Sequence, residues 1–247
     1  MFHIFSEEAM RHPMLAALSL LGALMLSSCT SSTNPSAGPT VEVYSDMNAS
    51  MLRQTTEARK GSAVEGITVV DSIKIDRVRI LVRRLKLHGT DDDTAGKDIK
   101  TEPFILTFTA QQQLMTTATI PNGTYRWMKL EFHRLSNDEA DRYYTNPAFA
   151  DFIPPERYSV IIEGKVWTRG NAMPDTFTYR STVTANVALK FDPPVEVTSA
   201  SILRLLMRFD PAAVFVANGN ILLHPLDPDS RSIIEANIKA SLKALKR

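Results

Sequence analysis

The sequence predicts a mainly β fold, an antiparallel β-sandwich closed by a C-terminal α-helix, and three observations carry that prediction. Short stretches of alternating apolar and polar residues recur between residues 41 and 223. Turn signals built on Gly, Asn and Asp-Pro separate them, as in domains made of many short strands. From Asp227 onward the apolar period lengthens to that of a helix, with Ile234, Ile238, Leu242 and Leu245 on one face.

Taken in order, residues 41–46 (VEVYSD) alternate and open the folded part as a strand, while residues 47–65 are polar, with room for a short helix around 49–59. Residues 67–87 hold the strongest strand signal. Ile73 and Ile75 alternate with Lys74; Val78, Ile80 and Val82 continue in the opposite phase, and Leu85 and Leu87 return to the first. A one-residue slip would turn the apolar set to the wrong face, so the pattern predicts β-bulges at Asp76–Arg77 and Arg83–Arg84, or a break at the second. Residues 104–109 form a short strand. Residues 114–120 and 124–135 read as a hairpin across Pro121-Asn122-Gly123, with Met128, Leu130 and Phe132 on one face and Tyr125 and Trp127 on the other. A second hairpin joins 158–167 to 176–183 across Arg169-Gly170-Asn171. Strands 187–191 and 202–209 each end at an Asp-Pro, and 214–216 and 221–223 are the last short pieces. In the terminal helix, residues 226–247, Asp227 caps and Pro228 takes the first position. Acidic residues lead and lysines trail, as the helix dipole prefers.

The amino terminus reads as an address. Residues 14–26 (MLAALSLLGALML) carry no charge. A membrane span needs about 20 apolar residues, so this run fits the core of a signal segment. It ends in Leu26-Ser27-Ser28-Cys29, and Cys29 is the only cysteine of the chain. The stretch resembles a bacterial lipobox, the signal of lipoproteins that are cut before a cysteine and lipidated on it. The resemblance covers residues 10–29. It implies a signal peptide over residues 1–28 and acyl chains such as palmitate on Cys29, a stable anchor because more than one chain is attached. Thr30 rather than an aspartate follows the cysteine, which in such lipoproteins implies the outer membrane. The plainer reading, a secretory signal with a chance cysteine, leaves an isolated thiol that is unusual in an exported protein. Residues 29–40 (CTSSTNPSAGPT) have no apolar anchor and read as a flexible tether. The β-sandwich then spans 41–225.

Composition sets limits. Lys and Arg number 28 against 27 acidic residues, so no global field points to nucleic acid. One cysteine excludes an intramolecular disulfide, and stability must come from the apolar core. The turn Ile120-Pro121-Asn122-Gly123-Thr124-Tyr125 resembles the Pro-x-Gly-x-Tyr turn of prealbumin-like sandwich domains, also close to the immunoglobulin-like layout, that are common in bacterial envelope lipoproteins.

Four stretches are candidate sites. Asp91, Asp93, Gly96 and Glu102 fall on ligand and turn positions of a Ca2+ loop, but Ala95 fails the fifth position and the flanks read as strands. The plain reading is a solvated loop. Lys74, Arg77, Arg79, Arg83, Arg84 and Lys86 could hold anionic glycan or lipid headgroups, although charges on an edge strand also serve to prevent edge pairing. The long connection 136–157 carries Tyr143, Tyr144, Phe149 and Phe152 beside Asp138, Glu139 and Asp141. Aromatic faces near carboxylates suit sugar recognition; the alternative is that these rings fold inward and cap the sandwich. His88, His133 and His224 are isolated in sequence, and no nucleophile-elbow, zinc-protease or phosphate-loop motif is present.

Together these readings describe an outer-membrane lipoprotein with a non-catalytic, structural or ligand-binding β-sandwich. Its partners are the membrane, through the lipid anchor, and a glycan or envelope protein. The alternatives are a glycan-binding module using loop 136–157 and a hydrolase whose carboxylates the fold assembles. Glu7 and Glu8 depart from the positive start a signal segment needs, whereas a start at Met10 leaves Met10-Arg11-His12-Pro13 ahead of the apolar run. Translation is therefore expected to begin at Met10, and an unprocessed precursor whose mass includes residues 1–9 would refute this.

Overall fold

The structure, a computed structural model, describes residues 38–47, 51–53, 69–89, 101–153 and 156–247. The fold is mainly β. A four-stranded sheet has the order β13-β10-β1-β5, and a seven-stranded sheet runs β8-β7-β3-β6-β9 with β2 and β4 also paired to β3. The strands of the first are β1 (Thr40–Met47), β5 (Gln113–Thr119), β10 (Ile202–Phe209) and β13 (Leu242–Lys246). Those of the second are β2 (Met51–Arg53), β3 (Val70–Gly89), β4 (Phe104–Phe108), β6 (Gly123–Phe132), β7 (Val160–Thr168), β8 (Asp175–Ser181) and β9 (Ala185–Val197). A two-residue pair, β11 (Val216–Ala217) and β12 (Ile221–Leu222), leads to a helix. Pairing is antiparallel except between β1 and β10, which run parallel in register from Thr40↔Ile202 to Met47↔Phe209. One apolar cluster takes side chains from both sheets, with Phe108 of β4 against Phe209 of β10 at 5.6 Å.

β3 is the axis of the larger sheet. Its register shifts between Ile75 and Arg77 against β7, and between Val82 and Arg84 against β6. These are the two expected bulges. They keep Ile73, Ile75, Val78, Ile80, Val82, Leu85 and Leu87 in one buried set, because each extra residue restores the phase that the pleat would lose. One edge of β3 pairs first with β7 and then with β6, while the other meets β2 and β4. Lys74 and Arg79 therefore stand where β3 has a partner strand on both sides, whereas Arg83, Arg84 and Lys86 lie where β6 alone pairs with it among the described residues. The expected helix around 49–59 falls mostly outside the described residues, and Met51–Arg53 within it is strand.

Three features differ from the sequence pattern. β5 and β6 do not pair: β5 joins β1 in one sheet and β6 joins β3 and β9 in the other. The Pro121-Asn122-Gly123 turn is thus a crossing between sheets, because the strands find longer partners than each other. Tyr125 lies inward, since a register shift between Tyr125 and Trp127 returns it to the face of Met128. Its hydroxyl donates to the Pro121 carbonyl at 2.8 Å and ties the crossing shut. β9 continues through Asp192-Pro193, which an edge strand tolerates because no partner needs the missing N–H. The β7–β8 hairpin forms as expected, with Gly170 at φ 89 in its turn.

The C-terminal helix, Arg231–Ala240, is shorter than the pattern suggests. Asp227 caps a preceding 3-10 turn, Pro228–Ser230, by accepting from the Asp229 N–H at 3.1 Å and the Ser230 hydroxyl at 2.8 Å. Ile234 and Ile238 are fully buried. Leu242 and Leu245 are not helical; they belong to β13, which pairs antiparallel with β10 along Leu205–Phe209. Alternation in Leu242-Lys243-Ala244-Leu245-Lys246 fits a strand as well as a helix, and the open edge of β10 offers backbone partners that a last helical turn would lack.

Gly164 marks the tightest approach in the larger sheet. A Cβ there would lie 2.2 Å from the Lys74 carbonyl oxygen and 3.0 Å from the Phe177 ring, opposite the first bulge of β3. Gly164→Ala is expected to cost about 3 kcal/mol through backbone displacement. Urea unfolding measures it, and a loss below about 0.5 kcal/mol, the level of an unconstrained surface change, would contradict this account.

Candidate functional site

The expected binding loop is a folded cap. Residues 136–157 contain α1 (Asn137–Tyr143) and a 3-10 helix, Pro147–Phe152. Ser136 opens α1 with a capping box: its hydroxyl accepts from Glu139 N–H at 3.3 Å, and its own N–H donates to Glu139 Oε2 at 2.8 Å. The other oxygen of Glu139 accepts from Arg83 Nε at 2.9 Å, so one carboxylate both starts the helix and fixes it to β3. Leu81, Ile161, Leu135, Ala140, Phe149 and Phe152 form a second buried cluster. Leu81 and Ile161 belong to three-residue apolar runs, Ile80-Leu81-Val82 and Val160-Ile161-Ile162, in which both faces of the sheet need cover.

This burial separates the four aromatic residues of the loop. Phe149 and Phe152 point inward and are part of that cluster. Tyr143 packs on Phe149 with ring centroids 4.8 Å apart, and its hydroxyl donates to Glu102. Burial, followed by that carboxylate, raises the Tyr143 pKa. Tyr144 is 67% exposed. The Ca2+ reading splits in two. Asp91 and Asp93 lie outside the described residues, while Glu102 is the acceptor of the Tyr143 hydroxyl. Among the described residues no group of three or more His, Cys, Asp or Glu is placed to hold a metal ion. Cys29 also lies outside the described residues.

The cations of β3 are largely matched. Arg79 donates to Asp151 at 2.6 Å and to Glu163 at 3.3 Å, and its guanidinium stands 5.7 Å from the Phe152 ring centre. Arg77 reaches the same Glu163. Lys74 pairs with Asp76, and Lys86 with Glu131. The guanidiniums hold Asp151 and Glu163 below the usual carboxylate range. For Glu139, burial pushes upward, but the Ser136 N–H and Arg83 outweigh it and the net shift is down. For Glu131, burial is likewise outweighed by Lys86 and Lys129.

A cleft of about 340 Å3 lies beside the free edge of β8. Glu156 and Tyr158, at the end of the cap, form one wall; residues 178–180 of β8 and the segment 225–228 with Arg231 form the others. The Arg180 guanidinium stands 5.8 Å from the Tyr158 ring centre and that of Arg231 5.9 Å from the Tyr179 ring centre. Arg231 also donates to the Arg180 carbonyl at 3.2 Å and pairs with Glu235 at 3.3 Å. Tyr179 is 4% exposed, and its hydroxyl has no hydrogen-bond partner among the described residues. Burial first, then the Glu235 carboxylate, pushes its pKa up to about 12. The inward alternation Phe177, Tyr179, Ser181 was the sequence signal here: a tyrosine at a core position brings a hydroxyl that needs an acceptor.

No protein-family model matches the chain, and neither a curated protein nor a solved structure matches it.

The lowered carboxyl values give the cap a pH dependence. A carboxylate whose folded pKa lies below its unfolded value, about 4 for Asp and Glu, stabilises the docked form fully above that range and loses this as pH falls through the folded value. Between pH 7 and pH 3, hydrogen exchange across residues 136–153, corrected for intrinsic rates, is expected to accelerate more than exchange in β3. Equal acceleration of both would show that Arg79–Asp151 and Arg83–Glu139 do not hold the cap.

Proposed function

We propose that this chain is a lipid-anchored protein of the cell envelope, held at the outer membrane through Cys29. Its prealbumin-like β-sandwich serves a structural or ligand-binding role without chemistry of its own. The observation that carries the reading is the single cysteine of the chain, at the end of the uncharged run 14–26 and directly after Ser27-Ser28. The Pro-x-Gly-x-Tyr turn supports the fold reading physically: Pro121 offers a carbonyl and Tyr125 returns its hydroxyl to it, locking the crossing from one sheet to the other.

The non-catalytic side of the reading is supported by the state of the carboxylates. A hydrolytic pair needs one carboxyl raised and protonated beside one that is ionised. Here Glu131, Glu139, Asp151 and Glu163 are all shifted down by cationic and backbone partners, and each remains ionised at neutral pH. In the cleft, Asp227 uses both oxygens for capping, which leaves Glu156 without a second carboxylate free to act with it.

Cells grown with an alkyne analogue of palmitate are expected to label the wild-type protein and leave Cys29→Ser unlabelled, with the variant lost from the membrane fraction. An unlabelled wild type, or a variant that keeps its label, would overturn the anchoring.

A further inference from the structure

The cleft beside β8 combines features that its own neighbours leave unbalanced. Arg231 is partly neutralised by Glu235, whereas Arg180 has an aromatic face against its guanidinium and a backbone bond to its carbonyl, with the Asp151 carboxylate attracting it from a greater distance. No carboxylate lies within salt-bridge distance of Arg180 among the described residues. Two guanidiniums therefore share one small cleft. Tyr179 adds a buried donor without an acceptor. Its neighbour Ser181 gives its single proton to Glu235 at 2.8 Å and accepts the Val183 N–H at 3.0 Å; it lies near the phenol and lowers its pKa against the effect of burial, but no hydrogen bond joins the two. A buried hydroxyl without a partner is costly, and a phenylalanine would fill the same core position without that cost. The arrangement suits a state in which the acceptor arrives from outside.

We propose that this cleft binds a small monocarboxylate carrying hydroxyl or amino groups. The carboxylate is held by Arg180 and Arg231, whose planar forks match its two oxygens. Arg231, 5.9 Å from the Tyr179 ring centre, turns toward the ligand, and the Tyr179 hydroxyl then donates to the carboxylate. Glu156 opposes a second negative charge and faces the polar or cationic remainder of the molecule. A volume of about 340 Å3 is at the small end of ligand clefts and admits a single sugar acid or amino acid. The proposal goes beyond the envelope reading and stands whether or not Cys29 is lipidated.

Calorimetric titration of the full-length chain with glucuronate against glucose, and with alanine against alaninamide, tests the carboxylate directly. At least one carboxylate is expected to bind about 10-fold or more tightly than the counterpart that lacks the carboxylate, as a charge-assisted hydrogen bond requires. Glucuronate alone would identify sugar acids as the source, alanine alone amino acids, and both would support the shared chemistry. Arg180→Gln, at an exposed side chain, should leave the melting temperature unchanged and abolish that preference. Tyr179→Phe should raise the melting temperature of the unliganded protein by about 2–4 °C while weakening binding. Equal affinity within both pairs, unchanged binding by Arg180→Gln, or a lowered melting temperature for Tyr179→Phe would overturn the proposal.

Discussion

A strand of 20 residues can keep its apolar side chains on one face only if the drift of its own sequence is corrected, and β3 is corrected at Asp76 and Arg83. The pleat alternates with every residue, so each extra residue exchanges inside for outside. Without these two bulges, Ile73, Ile75, Leu85 and Leu87 would all face solvent while Val78, Ile80 and Val82 remained inside. With them, one continuous strand can serve β7 along its first part and β6 along its second. The bulges also add local twist, which lets the two parts follow a common core. Gly164 on β7 belongs to the same device: the backbone of β3 comes so close beside the first bulge that a side chain cannot fit, and Phe177 covers the space instead.

The outer face of β3 then needs its own solution. Leu81 and Ile161 are apolar on the side away from the main core, among Arg79, Arg83 and Glu163. Leaving them wet would forgo roughly 25 cal/mol for each Å2 of apolar surface. The cap supplies Phe149 and Phe152 for the apolar positions and Glu139 and Asp151 for the cations. Because Asp151 is 55% exposed on its side chain, its pair contributes weakly to stability, as surface ion pairs do. Its larger effect is on register: it places Phe152 over Arg79 and prevents the cap from sliding along β3. Apolar burial supplies the affinity of the cap for the sheet, and the ion pairs supply its position.

Much of this was legible in the chain, and the exceptions share a cause. The phase slips of β3 predicted both bulges because they depend on local alternation alone. The β7–β8 hairpin was legible for the same reason. By contrast, residues 114–135 carry a local hairpin signal, yet β5 and β6 pair with β1, β3 and β9, a choice settled by strands distant in sequence. Leu242 and Leu245 fit a helical stripe and also a strand, and the open edge of β10 decided between them. The inward rings of the cap could have been read from Leu81 and Ile161, since apolar side chains on both faces of a strand demand cover on both. The cleft was least legible, because its walls come from three separate segments and only the inward position of Tyr179 left a trace.

The edges of the two sheets place that cleft in context. An uncovered edge invites pairing with another chain, and the fold treats its edges differently. β13 is short and carries Lys243 and Lys246; β9 carries Pro193 and Pro194. β5 is approached by β4, whose Thr107 N–H donates to Met115 Sδ at 3.2 Å. At β8 the guard is a side chain: Arg231 occupies the outward Arg180 carbonyl, a position that a pairing strand would otherwise take. A lysine or a proline would protect the edge as well, but neither would offer a planar fork beside a second guanidinium and a buried phenol. Protection of the edge therefore accounts for a blocking residue at position 231, and leaves unexplained both the choice of arginine and the hydroxyl of Tyr179. A cleft that takes a carboxylate explains both.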